Sequence, residues 1–264
     1  MATARTAARR TWFPAALTVA LTVVLLFLLL PVVAIFADTG PGDLISSLGD
    51  PAAREALKLS ALCSLTAIAI ILVVGTPAAY LLATRRFTGR AAAITAIELP
   101  LVLPPAVAGI GLLASLGPNG ILGGLAGDRL VLHTAGVVVA LTFVAAPFHL
   151  RQAQAAFEAL DPAWLDASRT LGASPARTFA RIAIPAARGG LAAGLALAWG
   201  RALGEFGATL MFAGSFRGIT QTAPLAIYER FGTEFDVALA LGAVLVALSG
   251  ALLLSVKLLG RAPG

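Results

Sequence analysis

From Phe13 to Ala37 the chain carries no charged side chain. An α-helix needs about 20 apolar residues to cross the hydrocarbon of a bilayer, so this run is long enough to span. Five more stretches qualify: Leu57–Thr84, Ala91–Leu116, Leu130–Leu150, Ala186–Ala213 and Val237–Leu259. Backbone groups in lipid must be satisfied within the protein, and segments of this length do that as helices. The sequence therefore predicts an all-α integral membrane protein with six transmembrane helices, residues 1–264 forming one transmembrane domain. Composition agrees. Hydrophobic residues make up 59% and charged residues 12% of the chain, against about 25% charged in soluble domains.

The formal net charge of +6 does not point to nucleic acid. The basic residues lie in short loops between apolar runs, the distribution that orients helices in a bilayer. With the N-terminus inside, the inner segments hold Arg5, Arg9, Arg10, Arg85, Arg86, Arg90, Arg151, Arg169, Arg177, Arg181, Arg188, Lys257 and Arg261. The outer segments hold Arg54, Lys58, Arg129, Arg217 and Arg230. Thirteen against five puts both termini in the cytoplasm. Arg9-Arg10 ahead of an apolar run resembles a secretory or twin-arginine signal, but the run is longer than a signal's apolar core and no A-x-A site closes it. A retained first span is expected.

Several chemistries have no motif here. No G-x-x-x-x-G-K-S/T loop precedes Lys58 or Lys257, so ATP is not bound in the P-loop manner. There is no H-E-x-x-H and no G-x-S-x-G. Gly109-Ile110-Gly111 is too short for a dinucleotide fingerprint and fits close helix packing. Cys63 is the only cysteine and lies in an apolar run; His133 and His149 have no ligand spacing around them. Neither an enzyme nor a metal protein is expected, and no cofactor is expected in this chain.

Within the spans, Pro100, Pro104 and Pro105 interrupt the third, as a break beside a pathway or as a plain kink. In the fifth, Arg201 and Glu205 are spaced i, i+4 and predict a shared helical face. An arginine at a helix centre costs ~2.5–3.5 kcal/mol on the insertion scale, so partial neutralisation by Glu205 is expected. Such a pair either locks helix packing or sets the field along an anion pathway. The pairs Gly190/Gly194 and Gly200/Gly204 allow another helix to approach closely, or lend mobility. Glu98 either reaches the interface or pairs with Arg90.

The inner loop, about residues 151–185, is the most structured polar segment. Asp161-Pro162 reads as a helix start, Asp as N-cap and Pro at the first helical position. Gly172 is placed to stop that helix. Ser174-Pro175 opens a second, which is expected to end before Pro185. Trp164, Leu165 and Leu171 offer apolar anchors, and Arg169, Arg177 and Arg181 offer charge. The residues alone allow a knob that docks a soluble partner or an amphipathic pair resting on lipid headgroups.

Asp166-Ala167-Ser168, Gly172 and Ile182-Ala183-Ile184-Pro185 resemble the "EAA" loop of ABC importer permeases, E-A-A-x3-G-x9-I-x-L-P, with every spacing kept and Asp166, Ser168 and Ile184 as conservative departures. The resemblance implies a type I importer bundle whose coupling helix sits in a groove of a separate ATPase subunit. Trp164, Asp166, Ala167, Ser168, Gly172, Ile182 and Pro185 are then the coupling candidates, with Asp166, Ala167, Ser168 and Gly172 in the contact itself. It further implies two permease copies, two ATPase subunits that hold ATP-Mg, an extracytoplasmic binding protein, and the cytoplasmic membrane of a bacterium or archaeon as location.

The segment Arg201-Ala202-Leu203-Gly204-Glu205-Phe206-Gly207-Ala208-Thr209 resembles the R-x-L-G-E-F-G-A-T stretch of molybdate and tungstate importer permeases. Gly218–Tyr228 is similar to that family's G-x-T-x-T-L-P-L-x-I-Y, with Ala223 for Leu, and Leu99–Pro105 is similar to its third-span motif. This implies molybdate as cargo, with Pro100, Pro104, Pro105, Arg201, Glu205, Phe206, Gly207 and Thr209 as pathway or gating candidates. A sulfate permease of the same fold is the alternative. A secondary anion transporter is a more distant one, since it would call for internal repeats and intramembrane ion sites.

Overall fold

The computed structural model describes residues 2–40, 42, 46 and 48–260. Arg261 lies outside them, as do the side chains of Arg5, Arg9, Arg10 and Lys257 and the ends of the domain expected over 1–264. The described residues contain helices and connecting turns and no strand. In chain order the helices are α1 (Ala2–Asp38), α2 (Pro51–Thr84), α3 (Arg90–Val102), α4 (Pro105–Leu116), α5 (Gly123–Leu130), α6 (Thr134–Glu158), α7 (Pro162–Thr170), α8 (Pro175–Leu203), α9 (Gly207–Ala213), α10 (Ala223–Phe231) and α11 (Phe235–Gly260).

Five of these, α1, α2, α6, α8 and α11, are long and apolar enough to cross a membrane. The third expected span is instead the bent pair α3 and α4, whose axes meet at 119°. The cause is local. Pro104 and Pro105 supply no backbone donors, and Leu103 and Pro104 are extended, with ψ of 131° and 135°, as the residue before a proline prefers. Pro100 stays inside α3 and breaks nothing. The fourth span starts at Thr134 rather than Leu130, which belongs to α5, and continues past Leu150 to Glu158.

The fifth span departs from expectation at both ends. Pro185 does not end the second knob helix, because α8 runs unbroken from Pro175 to Leu203. A π-helical stretch, Phe179–Ala183, lets the Ile184 amide donate to the Phe179 carbonyl five residues back. That one-residue change of register, immediately before Pro185, accommodates the proline's missing donor. The second span uses the same device, with a π stretch at Ile71–Gly75 ahead of Pro77. At its far end α8 stops at Leu203, and Gly204–Phe206 separate it from α9.

Helix α6 is the central post. Towards one end Val137, Leu141 and Ala145 pack with Cys63, Ala67 and Ile71 of α2 and Ala198 and Ala202 of α8. Towards the other, Ala153 and Phe157 pack with Ala79 of α2, Leu165 of α7 and Ala183, Ala187 and Leu191 of α8. Glycine sets the α6–α8 distance. A β-carbon on Gly190 would stand 2.4 Å from the Ala156 β-carbon, and one on Gly194 would stand 3.0 Å from that of Gln152. Gly200 has open space around it, so only the first glycine pair packs within the chain. Helix α1 lies at the edge against α11, with no residue of its apolar window buried.

Candidate functional site

The polar knob is a rigid corner. Asp161 Oδ1 accepts the Ala163 amide at 2.9 Å and caps α7. At the other end Gly172 adopts φ +80°. Its amide donates to the Arg169 carbonyl at 2.9 Å and that of Ala173 to Ser168 at 3.0 Å, the paired bonds of a left-handed helix stop. Ser174 Oγ accepts the Arg177 amide at 3.4 Å to start α8.

These caps fix which side chains face out. Trp164, Asp166, Ala167, Leu171 and Gly172 are exposed, and Asp166 pairs with Arg169 at 3.0 Å. Ser168 does not belong to that surface. Its hydroxyl is buried and lies 2.9 Å from Thr178 Oγ1, so it ties α7 to α8. Leu165 is buried in the inner core, and half-buried Ile182 packs against that core. Pro185 is exposed along α8, away from the turn. Two grooves flank α7. One, of about 570 Å³, is lined by Gln152, Ala156, Leu160, Trp164 and Gly190. The other, of about 280 Å³, is lined by Thr84, Phe157, Glu158, Leu165 and Arg169.

A polar belt holds this end of the bundle together. Arg90 donates to the Leu82 carbonyl at 2.7 Å and to Glu158 Oε1 at 2.7 Å, while Gln154 donates to the same carboxylate at 2.9 Å. Glu98 pairs with Arg151 at 2.8 Å and not with Arg90. Glu98 lies eight residues beyond Arg90 on the same helix, about 12 Å along its axis, so it meets Arg151 of α6 while Arg90 meets Leu82 of α2 and Glu158 at the end of α6.

The broken third and fifth spans meet. A β-carbon on Gly207 would stand 2.9 Å from Pro105 Cβ and 3.2 Å from the Ala106 nitrogen, and one on Gly109 would stand 2.7 Å from the Ala208 carbonyl oxygen. Arg201 and Glu205 do pair, with Nη2 and Oε2 2.5 Å apart, but not along a helical face. Arg201 sits in the last turn of α8, and Glu205 lies in the break, where its Oε1 accepts the Ala208 amide at 2.7 Å. The carboxylate is buried while Arg201 keeps 27% of its surface. The rings of Phe206 and exposed Tyr228 pack in a tilted contact, their centroids 4.7 Å apart. Thr209 is fully buried, and its hydroxyl has no hydrogen-bond partner among the described residues. Pro105, Glu205, Phe206 and Gly207 thus come together, whereas Pro100 lies a turn before the bend.

At the opposite end Arg230 pairs with Asp50 at 2.5 Å, and Asp50 Oδ1 caps α2 by accepting the Ala52 amide at 3.1 Å. The Arg230 guanidinium holds the Asp50 carboxyl below the usual carboxylate range. The Ala223 amide donates to Ser60 Oγ at 2.7 Å, fixing α10 to α2. His149, which has no metal-ligand spacing around it in the sequence, serves here as a link between helices. Fully buried His149 places Nε2 2.9 Å from Thr76 Oγ1, beside Gly75 and Gly194. Its signal is an ionisable residue inside an apolar run, which by default has a partner on another helix.

Residues 75–262 match the family model described as binding-protein-dependent transport system inner membrane component. A probable molybdenum ABC transporter permease protein of Haloferax volcanii is 36% identical over 91% of this chain and 88% of its own length. A sulfate transport system permease protein of Synechocystis sp. is 34% identical over 81% of each. The fold superposes on that of a bacterial alginate ABC transporter, crystallised in complex with an alginate pentasaccharide-bound periplasmic protein. The TM-score is 0.77 at 17% identity, covering 96% of this chain and 95% of that one.

Proposed function

Because the chain belongs to the binding-protein-dependent transport system inner membrane components, and is thus the membrane part of an ABC importer, we propose that its cargo is molybdate, with tungstate as a congener. The observation that carries this reading is the Arg201–Glu205 pair at the α8–α9 break, inside the stretch that resembles molybdate permeases. An oxyanion crossing an apolar bundle needs a compensating field, yet a bare cation would hold it too tightly for release. Arg201, partly exposed and largely neutralised by a buried carboxylate, satisfies both demands. The 36% identity to the Haloferax permease supports the same cargo.

In this reading two copies of the chain enclose the route, and the knob at about 151–185 lies in the cytoplasm with both termini. An ATPase subunit docks on each knob through Trp164, Asp166, Ala167 and Gly172, and holds ATP-Mg. A binding protein delivers the anion from outside. The Ser168–Thr178 bond makes α7 and α8 move together. Helix α8 spans 29 residues, about 43 Å at 1.5 Å per residue. It ends at the break where Gly207 abuts Pro105, so displacement of the knob is delivered to the point where the third and fifth spans touch. Alternation then requires two arrangements of that contact, biased by the nucleotide state of the ATPase.

The test is ATP-dependent molybdate uptake in vesicles containing this chain, its ATPase and its binding protein. Molybdate should accumulate only with ATP and all three components. Uptake without the ATPase would sink the importer mechanism. The second reading, sulfate as cargo, is favoured by the Synechocystis relative, and equal competition by sulfate would sink the molybdate assignment.

A further inference from the structure

We propose that Phe206 and Tyr228 form a gate across the route, on the side of the Arg201–Glu205 pair away from the knob. This gate presupposes the reading that cargo passes the α8–α9 break, whichever oxyanion the cargo is. The two rings touch, with centroids 4.7 Å apart, yet they belong to parts of the bundle that are held in different ways.

Phe206 is carried by the two broken spans. It lies in the break, with φ −130° and ψ −53°. On one side Glu205 binds Arg201 and the Ala208 amide, and on the other Gly207 abuts Pro105. Its backbone therefore follows a displacement of α8 or of the α3–α4 bend. Tyr228 is carried by α10, which is fastened to α2. The Ala223 amide donates to Ser60 Oγ at 2.7 Å, and Arg230 pairs with Asp50. Between these ties Ala226 packs with Ala53 and Ala56 of α2 and Leu241 of α11. Glu229, next to Tyr228, accepts from Gln221 and Arg217. The ring of Tyr228 is thus fixed from both sides along its helix.

The same ties give its depth. They lie ten residues apart on α2 and seven apart on α10, in opposite order, so α10 runs antiparallel to α2 and away from the knob. Trp199 Nε1 donates to Ser64 Oγ at 3.0 Å, which sets Trp199 one turn of α2 nearer the knob than Ser60. At 1.5 Å per residue Arg201 stands about 3 Å beyond Trp199, and Tyr228 about 13 Å beyond it. Tyr228 keeps 62% of its surface exposed although it touches Phe206, so the pair borders open space and is not part of a sealed core.

An apolar constriction stops a hydrated anion by shedding the water around it. A ring–ring contact contributes only modestly beyond the area it buries, so it can part and re-form in each cycle. The Trp199–Ser64 bond holds α8 to α2 shortly before α8 ends at Leu203. A swing of α8 about that point, driven from the knob, carries Phe206 past the fixed Tyr228.

The test uses vesicles containing the chain, its ATPase and its binding protein. Phe206→Cys/Tyr228→Cys is placed in a Cys63→Ala background, which removes the one native cysteine. A short bis-methanethiosulfonate should link the two positions in the resting transporter. Trapping with ATP and vanadate should change the yield at least roughly ten-fold, as for a two-state contact whose bias is reversed. In a second measurement, molybdate-loaded vesicles without ATP should leak at least roughly ten-fold faster with Tyr228→Ala than with wild type. Tyr228→Phe, which keeps the ring, should restore the seal. Equal cross-linking in both nucleotide states overturns the proposal, and so does a Tyr228→Ala transporter as tight as wild type. Wild type that accumulates sulfate in place of molybdate sinks the cargo reading alone, since the cross-link and a sulfate leak still decide the gate.

Discussion

Glu205 meets Arg201 across the end of a helix and not along one. The carboxylate leaves α8 after Leu203, turns back to the guanidinium at 2.5 Å, and uses its other oxygen to hold the first turn of α9 through Ala208. One buried side chain therefore ties the two halves of the fifth span together. Glu205→Ala should cost roughly 3 kcal/mol, the low end for breaking a buried pair because Arg201 keeps a water-accessible edge. Thermal melting in detergent should show the loss. Glu205→Gln can still accept from Ala208 and should melt between the two; a melt equal to wild type for both variants would contradict the tie.

Ser168 and Thr178 make the corresponding joint at the knob. Ser168→Ala strands the buried Thr178 hydroxyl and should cost about 1–3 kcal/mol, whereas Ser168→Ala with Thr178→Val removes both polar groups and should recover part of that loss. The readout that separates a joint from a contact is ATPase co-purification. Ala167→Arg, on the exposed face, should abolish it while leaving the melting temperature within the range of a surface change. Ser168→Ala should uncouple ATP hydrolysis from uptake without abolishing association.

Gly190 and Gly200 look alike in sequence and should respond in opposite ways. At Gly190 an added methyl meets Ala156 at 2.4 Å, so Gly190→Ala should destabilise the chain by about 1–3 kcal/mol through overpacking. At Gly200 nothing lies within 4 Å, and Gly200→Ala should leave the melting temperature of the isolated chain unchanged or slightly raised. Equal losses at the two positions would mean that the α6–α8 contact is not set by glycine.

Asp50 should give the end opposite the knob an acid limit. Its carboxyl is held below the ordinary value of 3.8 chiefly by the hydrogen bond from Arg230. A depressed folded-state value means that the stabilisation is fully present above about pH 3.8 and is lost as pH falls through the lower, folded-state value. Protease accessibility of the 214–222 loop should rise over that window in wild type. Asp50→Asn should raise it at neutral pH already and remove its dependence on acid.

The long helices were legible in sequence because lipid leaves a long apolar segment little choice but helix, and because alternation of basic loops reports the ends. The caps at Asp161, Gly172 and Ser174 were legible for a different reason, since a helix end is a local hydrogen-bonding problem solved by residues within four positions. Pro185 shows where such local rules stop. A proline after a basic stretch reads as a helix end, yet a π turn upstream absorbs it, and nothing in Phe179–Ala183 as a string of residues announces that turn. Ser168 was misplaced for a related cause: a small hydroxyl at an exposed-looking loop position became a brace only because Thr178, ten residues later, folds back on it.

By itself, then, the sequence determined the class of solvent, the positions of most spans, the caps of the knob and the spacing by which the knob resembles an EAA loop. All of these rest on interactions within a few residues or with the bilayer. The tertiary structure decided that the third span bends at Pro104-Pro105, that the fifth breaks at Gly204–Phe206, and that the two breaks touch where Gly207 leaves room for Pro105. It also decided which of the described arginines find a carboxylate, among them Arg90, Arg151 and Arg230. Those outcomes depend on which helix lies beside which, and the pairing is set by small residues packing at van der Waals distance across the bundle, a relation that no spacing along the chain encodes.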